Sequence, residues 1–382
     1  MPSRKLLWLL GFLSFIFYAI TTNEIGPAIP GIRVEFGLSE SIAGALVSLQ
    51  SLAGVLAILG GVLSDVFGKA RILSISLTAM GLGALMVSSS PFAWILGASL
   101  FLFGAGTGFF EASVNALISE VFSGRRGMAI TLLHIAWNIG SAIGPLLIAF
   151  TITAFGSWRL GYLVPFPFLI ALSFVTWLIS KPLSGRGERT RSEKNQLNLR
   201  YVWRIFPLMI MPFLLVASQL GISTWLPSIL YDSGATLVEA SLTVGLFWAL
   251  SGVGRLLWAP YIDKFGYWRV LLLTGGFSAL LMFVAASPLP IYVKMALWAG
   301  SGLLLGPAYP TIVAWVTAAY PEIGGTLSGM VYTFATLGSF TSAVITGILF
   351  DLFGSAVAQL IFPSAALSVA LVSYAVRGIG KS

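Results

Sequence analysis

The sequence predicts an all-α membrane protein, with twelve transmembrane helices in two pseudo-symmetric six-helix bundles. Three observations predict it: a composition too apolar for water, twelve apolar runs of spanning length, and a tandem internal repeat. The chain has 382 residues, 57% hydrophobic and 9% charged. Soluble domains carry about 25% charged residues. A chain this poor in charge cannot cover itself with polar surface, so lipid must be its solvent over most of its area.

The apolar runs come first. Leu6–Pro30, Ser41–Leu63, Ile72–Ser90 and Phe92–Ser119 each reach the roughly 20 residues that cross a bilayer as helix. Eight more follow at 128–156, 160–180, 205–231, 236–262, 270–287, 289–320, 323–350 and 355–376. Arg4 and Lys5 ahead of the first run resemble the charged start of a signal peptide. The run is too long for that and no small-residue cleavage site follows it, so it is expected to be the first span.

Charge placement sets the expected orientation. The net charge is +8, but the segment 181–204 alone holds Lys181, Arg186, Arg189, Arg191, Lys194, Arg200 and Arg204 against Glu188 and Glu193. An excess concentrated in one connector reads as a positive-inside signal rather than a nucleic-acid surface. With both termini inside, 17 basic residues fall on the cytoplasmic side; Arg33, Arg159 and Lys294 fall outside and Arg255 lies within a span. That asymmetry predicts a multi-pass protein of the cell membrane with both termini cytoplasmic.

The chain repeats itself at an offset of 198. Residues 54–73 lie over 252–271 with eight of twenty positions identical, among them Asp65/Asp263, Phe67/Phe265, Gly68/Gly266 and Arg71/Arg269. The same offset pairs Gly140-Ser141 with Gly338-Ser339 and Phe155-Gly156 with Phe353-Gly354. The expected domains are a first bundle at 1–180, a basic cytoplasmic connector at 181–204 and a second bundle at 205–382. In the shared loop, Gly61 allows close helix approach, Asp65 can reach helix N-termini or arginines, and Gly68 makes a tight turn. Gly61, Asp65, Gly68, Arg71, Asp263, Gly266 and Arg269 are therefore expected to be gate residues.

Function is expected where polar groups lie inside spans. A carboxylate at mid-bilayer costs about 2.5–3.5 kcal/mol on insertion scales, so it faces a cavity or a partner. Glu24 is nine residues from Arg33, roughly 14 Å of helix. Glu111 is fourteen residues before Arg125, roughly 21 Å, near mid-depth. Gly104, Gly108, Glu111 and Asn115 share one helical face. His134, the one histidine, is eight residues from Arg126, and Asn138 lies one turn beyond it. Burial favours the neutral form of a carboxyl group. Glu24 and Glu111, with His134 as a third group, are expected to carry protons; Asn23, Asn115 and Asn138 are expected to meet the substrate.

The second half does not copy these acids. At the same offset, Glu24, Glu111 and His134 fall on Ile222, Tyr309 and Tyr332. Gln219, Trp225, Trp248, Tyr309 and Tyr332 offer amide and aromatic groups suited to a neutral polyhydroxylated ligand. Arg255 follows Gly252 and Gly254 and precedes Asp263 by eight residues. It is expected to pair near the inner gate; if it faces a cavity, a carboxylate substrate becomes credible. No cysteine and a single histidine leave no ligands for a metal or haem site, and none of the residue clusters an enzyme needs. No cofactor, metal, nucleic-acid partner or enzymatic activity is expected.

Gly61-x-Leu63-x-Asp65-x-x-Gly68-Lys69-x-Arg71 resembles the signature loop of the major facilitator superfamily, and Asp263-Lys264-Phe265-Gly266-x-x-Arg269 resembles its second copy. That resemblance implies the major facilitator fold and secondary active transport by alternating access. Asn23-Glu24, Phe110-Glu111-x-x-x-Asn115, Trp225-Leu226-Pro227 and Gly306-Pro307-x-Tyr309-Pro310-Thr311 look like the fucose permease group of sugar:proton symporters. The group has Asp where this chain has Glu24, Pro at Ala116 and a substrate-contacting Gln at His134. The resemblance implies proton-coupled symport of a small polar solute such as a sugar, by a monomer whose partners are substrate, protons and the bilayer. Two alternatives stay open. Gly140-x-x-x-Gly144-Pro145 resembles part of the drug:proton antiporter motif. An organic-anion transporter follows if Arg255 faces the cavity.

Overall fold

Among the described residues, twelve helical stretches are long and apolar enough to cross a membrane. The computed structural model describes residues 4–122, 126–180, 199–319 and 324–378. Among the described residues there is no strand. The helices are α1 (Arg4–Asn23), α2 (Ile25–Phe36), α3 (Glu40–Gly54), α4 (Ala57–Phe67), α5 (Lys69–Ser89) and α6 (Ala93–Val121). Next come α7 (Arg126–Phe155), α8 (Arg159–Leu163), α9 (Pro165–Ser180), α10 (Leu199–Asp232), α11 (Leu237–Trp258) and α12 (Ile262–Phe265). The last six are α13 (Tyr267–Ala286), α14 (Ile291–Leu305), α15 (Ala308–Ala319), α16 (Gly324–Phe353), α17 (Ser355–Ala358) and α18 (Ile361–Ala375). Most of the connector, 181–198, lies outside the described residues, as does Arg125.

More helices than spans exist because several spans are interrupted. Proline supplies no N–H and its ring crowds the carbonyl four residues back. Pro27 sits beyond the break between α1 and α2, Pro165 at that between α8 and α9, and Pro307 at that between α14 and α15. Pro30, Pro145, Pro212 and Pro227 sit inside continuous helices. A proline is therefore one cause of a break and not a sufficient one.

The helices cluster into two units. One comprises Met1–Gly37 and Leu49–Ser192; the other comprises Leu38–Ser48 and Glu193–Ser382. The first is held by an aromatic and aliphatic core in which the Phe15 ring meets Phe110 edge-on at 5.0 Å, with Leu77, Met80 and Phe103 around them. In the second, Trp298 meets Phe362 at 6.2 Å and Phe247 meets Trp248 at 5.4 Å. Large apolar side chains such as Trp94, Phe150, Phe277 and Leu371 point outward. An exterior of this kind suits lipid, and the chain is a multi-pass membrane protein.

The duplication is written into the backbone. Among the described residues, the glycines with positive φ fall into pairs at the repeat offset or one short of it: Gly37/Gly234, Gly68/Gly266 and Gly156/Gly354. Gly68 (φ 96°, ψ 134°) and Gly266 (φ 81°, ψ 145°) make the same turn, one that side chains with a Cβ rarely adopt. Close helix contacts repeat too. Gly104 and Gly108 rest on the carbonyls of Gln50 and Gly54 in the first unit; Gly302 and Gly306 rest on those of Phe247 and Ser251 in the second. Small residues let transmembrane backbones approach this closely.

Candidate functional site

Buried polar groups collect on α1, α2, α6, α7 and α8 of the first unit. Glu24 occupies the interruption between α1 and α2 (φ −69°, ψ −25°), and its own N–H still bonds to the Ile20 carbonyl at 3.1 Å. Its side chain is 0% exposed, and neither carboxyl oxygen has a hydrogen-bond partner among the described residues. A carboxylate enclosed in this way costs several kcal/mol; the neutral acid is the form such surroundings accept.

Glu111 differs. It is buried on α6, and Asn115 one turn on donates its amide N–H to Glu111 Oε2 at 3.0 Å. The Asn115 amide oxygen is buried without a partner. The helical face expected from Gly104, Gly108, Glu111 and Asn115 thus carries a hydrogen-bonded acid–amide pair. Asn23 donates to the Ala19 carbonyl and the Ser141 hydroxyl, both at 2.9 Å, tying α1 to α7. The His134 ring packs against Phe15 at 5.5 Å, and Asn138 is buried one turn further along α7.

A polar cluster at the end of α2 went unnoticed in the sequence. Trp158 donates its indole N–H to Glu35 at 2.8 Å, and Arg159 donates to Glu35 at 2.6 Å. Arg159 also donates to the Ser88 and Ser90 carbonyls, at 3.2 and 2.6 Å, where α5 ends. The cation thereby serves carbonyls that the end of α5 leaves without helical donors. The adjacent Trp-Arg pair just after Gly156 was the available signal.

In the second unit the interruption between α14 and α15 is gripped from two sides. Pro310 has no N–H for the Gly306 carbonyl four residues back, and Arg255 donates its Nε–H there at 3.0 Å. Gln219 donates to the neighbouring Leu305 carbonyl at 3.1 Å. Trp225 donates to the Ala343 carbonyl at 3.1 Å and Trp248 to the Ser223 hydroxyl. Both indoles are buried, while Tyr309 and Tyr332 are half-buried. Tyr309 lies within electrostatic range of Arg255.

The residues expected to form a gate lie on or beside α4, α5, α12 and α13. Asp65, Arg71 and Arg269 are exposed, and Gly61 has open space beside its Cα. The side chain of Asp263 lies outside the described residues. Asp351, which the sequence did not single out, accepts from the backbone N–H groups of Glu40 at 2.9 Å and Ser41 at 2.8 Å. It caps the first turn of α3 from across the chain, where unpaired N–H groups and the helix dipole favour a carboxylate. Asp351→Ala is expected to cost about 1–2 kcal/mol, seen as earlier thermal unfolding in detergent, and Asp351→Asn, which keeps one acceptor, less.

Comparison with known proteins gives a consistent picture. The family model described as Major Facilitator Superfamily matches residues 7–298 and again 208–379. A putative niacin/nicotinamide transporter of Bacillus subtilis (strain 168) is 28% identical, covering 91% of this chain and 88% of the relative. A 4-hydroxybenzoate transporter of Acinetobacter baylyi is 24% identical over 97% of this chain and 91% of its own. The inward open structure of the xylose transporter of E. coli superposes with a TM-score of 0.77 at 15% identity, covering 97% of this chain and 96% of that one.

Proposed function

Since the chain belongs to the Major Facilitator Superfamily, we propose that it is a proton-coupled symporter that brings a small organic acid into the cell. That it is a membrane transporter and not an enzyme follows from the family; the coupling ion and the substrate class are the proposal. The observation that carries it is Glu24, a carboxyl fully buried in the first unit with neither oxygen bonded. A group favoured as the neutral acid inside a transporter is suited to load and release a proton. Glu111 is the second carrier, its charged form supported by the Asn115 amide. His134 is a third group on the same unit.

An acid substrate is supported by Arg255, a cation within the span Leu237–Trp258 that is anchored on the Gly306 carbonyl. A cation inside a span marks an ion or substrate path more often than a surface. The names of the relatives support it in part: niacin and 4-hydroxybenzoate are compact aromatic acids, while nicotinamide, named beside niacin, is a neutral amide. The bias of basic residues supports cytoplasmic termini and residence in the cell membrane, with 1–180 and 205–382 as the two bundles and 181–204 as the connector.

The test is uptake into proteoliposomes under an imposed pH gradient, acid outside, with nicotinate, 4-hydroxybenzoate, cyanate, L-fucose and D-xylose as probes. One of the three anions should accumulate above its outside concentration and leak out again when a protonophore is added. Accumulation of a sugar alone would keep the coupling and overturn the substrate class. Accumulation that ignores the protonophore would overturn the coupling.

A further inference from the structure

The proton-carrier reading of Glu24 leaves one buried group of the same unit unused. Tyr162, on α8, is 1% exposed, and its hydroxyl has no hydrogen-bond partner among the described residues. Burying a phenol O–H without an acceptor costs free energy, so tyrosine in a protein interior normally finds one.

The packing brings Tyr162 towards Glu24. Trp158 at the start of α8 lies against Gly31 of α2, where an added Cβ would stand 2.9 Å from the indole ring, and it bonds to Glu35 one turn further. Tyr162 is one turn along α8 from Trp158. Glu24, at the N-cap of α2, is seven residues before Gly31. Gly161 lets α8 lie close against Ile148 of α7, and the Trp158 and Tyr162 rings meet edge to face at 6.4 Å. Tyr162 and Glu24 lie within electrostatic range of each other. Other ionisable groups on the surrounding helices are Arg159, paired with Glu35, Glu111, bonded to Asn115, His134, whose ring packs on Phe15, and Tyr18, whose ring packs on Trp137. Arg33, on α2, is half-buried nine residues further along.

We propose that Tyr162 is a positioning residue for proton coupling: its hydroxyl donates a hydrogen bond to the Glu24 carboxylate whenever Glu24 has given up its proton. The two unpartnered groups then satisfy one another in the charged state, which is the state apolar surroundings penalise most. The phenol keeps its own proton throughout and only orients its O–H, so the proton released from Glu24 leaves by another route. This inference rests on Glu24 being the proton carrier and adds the group that makes its release affordable.

Infrared spectroscopy of the full-length protein in lipid nanodiscs tests it without any transported solute. The carboxylic C=O band that Glu24→Gln removes is followed as pH rises. A hydrogen bond donated to the charged carboxylate favours its release of the proton, so Tyr162→Phe should hold the band to a pH higher by about one to two units, a tenfold to hundredfold change in proton affinity. Replacement by 3,5-difluorotyrosine, a stronger donor, should move the half-point the other way. Tyr162→Phe should unfold at or above the wild-type temperature, since it removes a buried hydroxyl that makes no bond to the protein fabric. A half-point unmoved in both variants overturns the role of Tyr162 and leaves Glu24 as carrier. If Glu24→Gln removes no band, the carrier reading itself fails.

Discussion

In the Glu24→Gln protein, uphill uptake driven by a pH gradient is expected to fall on the order of 10²-fold, the scale on which loss of a proton-transferring side chain is felt. Exchange of labelled for unlabelled solute across the same membrane should persist. Exchange needs the solute to cross but no net proton movement; accumulation needs both. The replacement is nearly isosteric, and the carboxyl makes no hydrogen bond that the amide would lose. Thermal stability should therefore stay within about 1 kcal/mol of wild type. Glu35→Gln is the contrasting variant. Glu35 holds Trp158 and Arg159, so its loss should lower stability and spare the gradient dependence. Equal loss of exchange and accumulation in Glu24→Gln would make Glu24 a binding or structural group instead.

Gly302→Val should prevent recovery of a folded protein. A Cβ at Gly302 would collide with the Phe247 carbonyl, and neighbouring contacts leave no room to yield: Gly254 rests on the Leu303 carbonyl and Gly306 on that of Ser251. Both sides are helix backbone, so α11 and α14 would have to separate along their shared face and lose dispersion contacts on many side chains. The expected cost is about 3 kcal/mol, at the upper end for overpacking. Gly104→Val, against the Gln50 carbonyl in the first unit, should behave alike. Gly300→Ala is the control, because the space beside Gly300 is open; alanine should be neutral or stabilising by up to about 1 kcal/mol. Size-exclusion profiles and thermal unfolding in detergent read all three. A Gly302→Val protein as stable as Gly300→Ala would contradict the close approach.

Much of the architecture is legible in the sequence because lipid imposes a simple rule. Every spanning segment must satisfy its own backbone and present apolar side chains, so twelve apolar runs become twelve helices, with ends moved by a few residues. The repeat is legible for a related reason: loop turns such as Gly68 and Gly266 and contacts such as Gly104 and Gly302 tolerate only glycine. Interruptions are harder to read. Pro27 and Pro227 look alike in sequence, yet only the first lies just beyond a break, while the second sits inside the continuous α10.

Side-chain pairing was the least legible layer. Glu24 and Glu111 stood out because carboxyls are rare within apolar runs. That one would be bare and the other bonded to Asn115 depends on packing. Tyr162 gave no signal, since a tyrosine near the start of a span reads as an interfacial anchor, and Glu24 is far from it in the chain. Asp351 and the helix it caps are separated by 310 positions. The sequence offers Trp225 and Trp248 as aromatic faces for a ligand but gives no sign that their N–H groups bond within the second unit.

The central claim is that solute and proton move together through Glu24. A pH electrode in a lightly buffered suspension of proteoliposomes, held at zero membrane potential with valinomycin and potassium, measures this directly. Addition of the anion that accumulates in the uptake screen should alkalinise the external medium as protons enter with it. Glu24→Gln vesicles should give no such signal while still exchanging the anion. An unchanged alkalinisation in Glu24→Gln, or none in wild type during active uptake, would contradict the account.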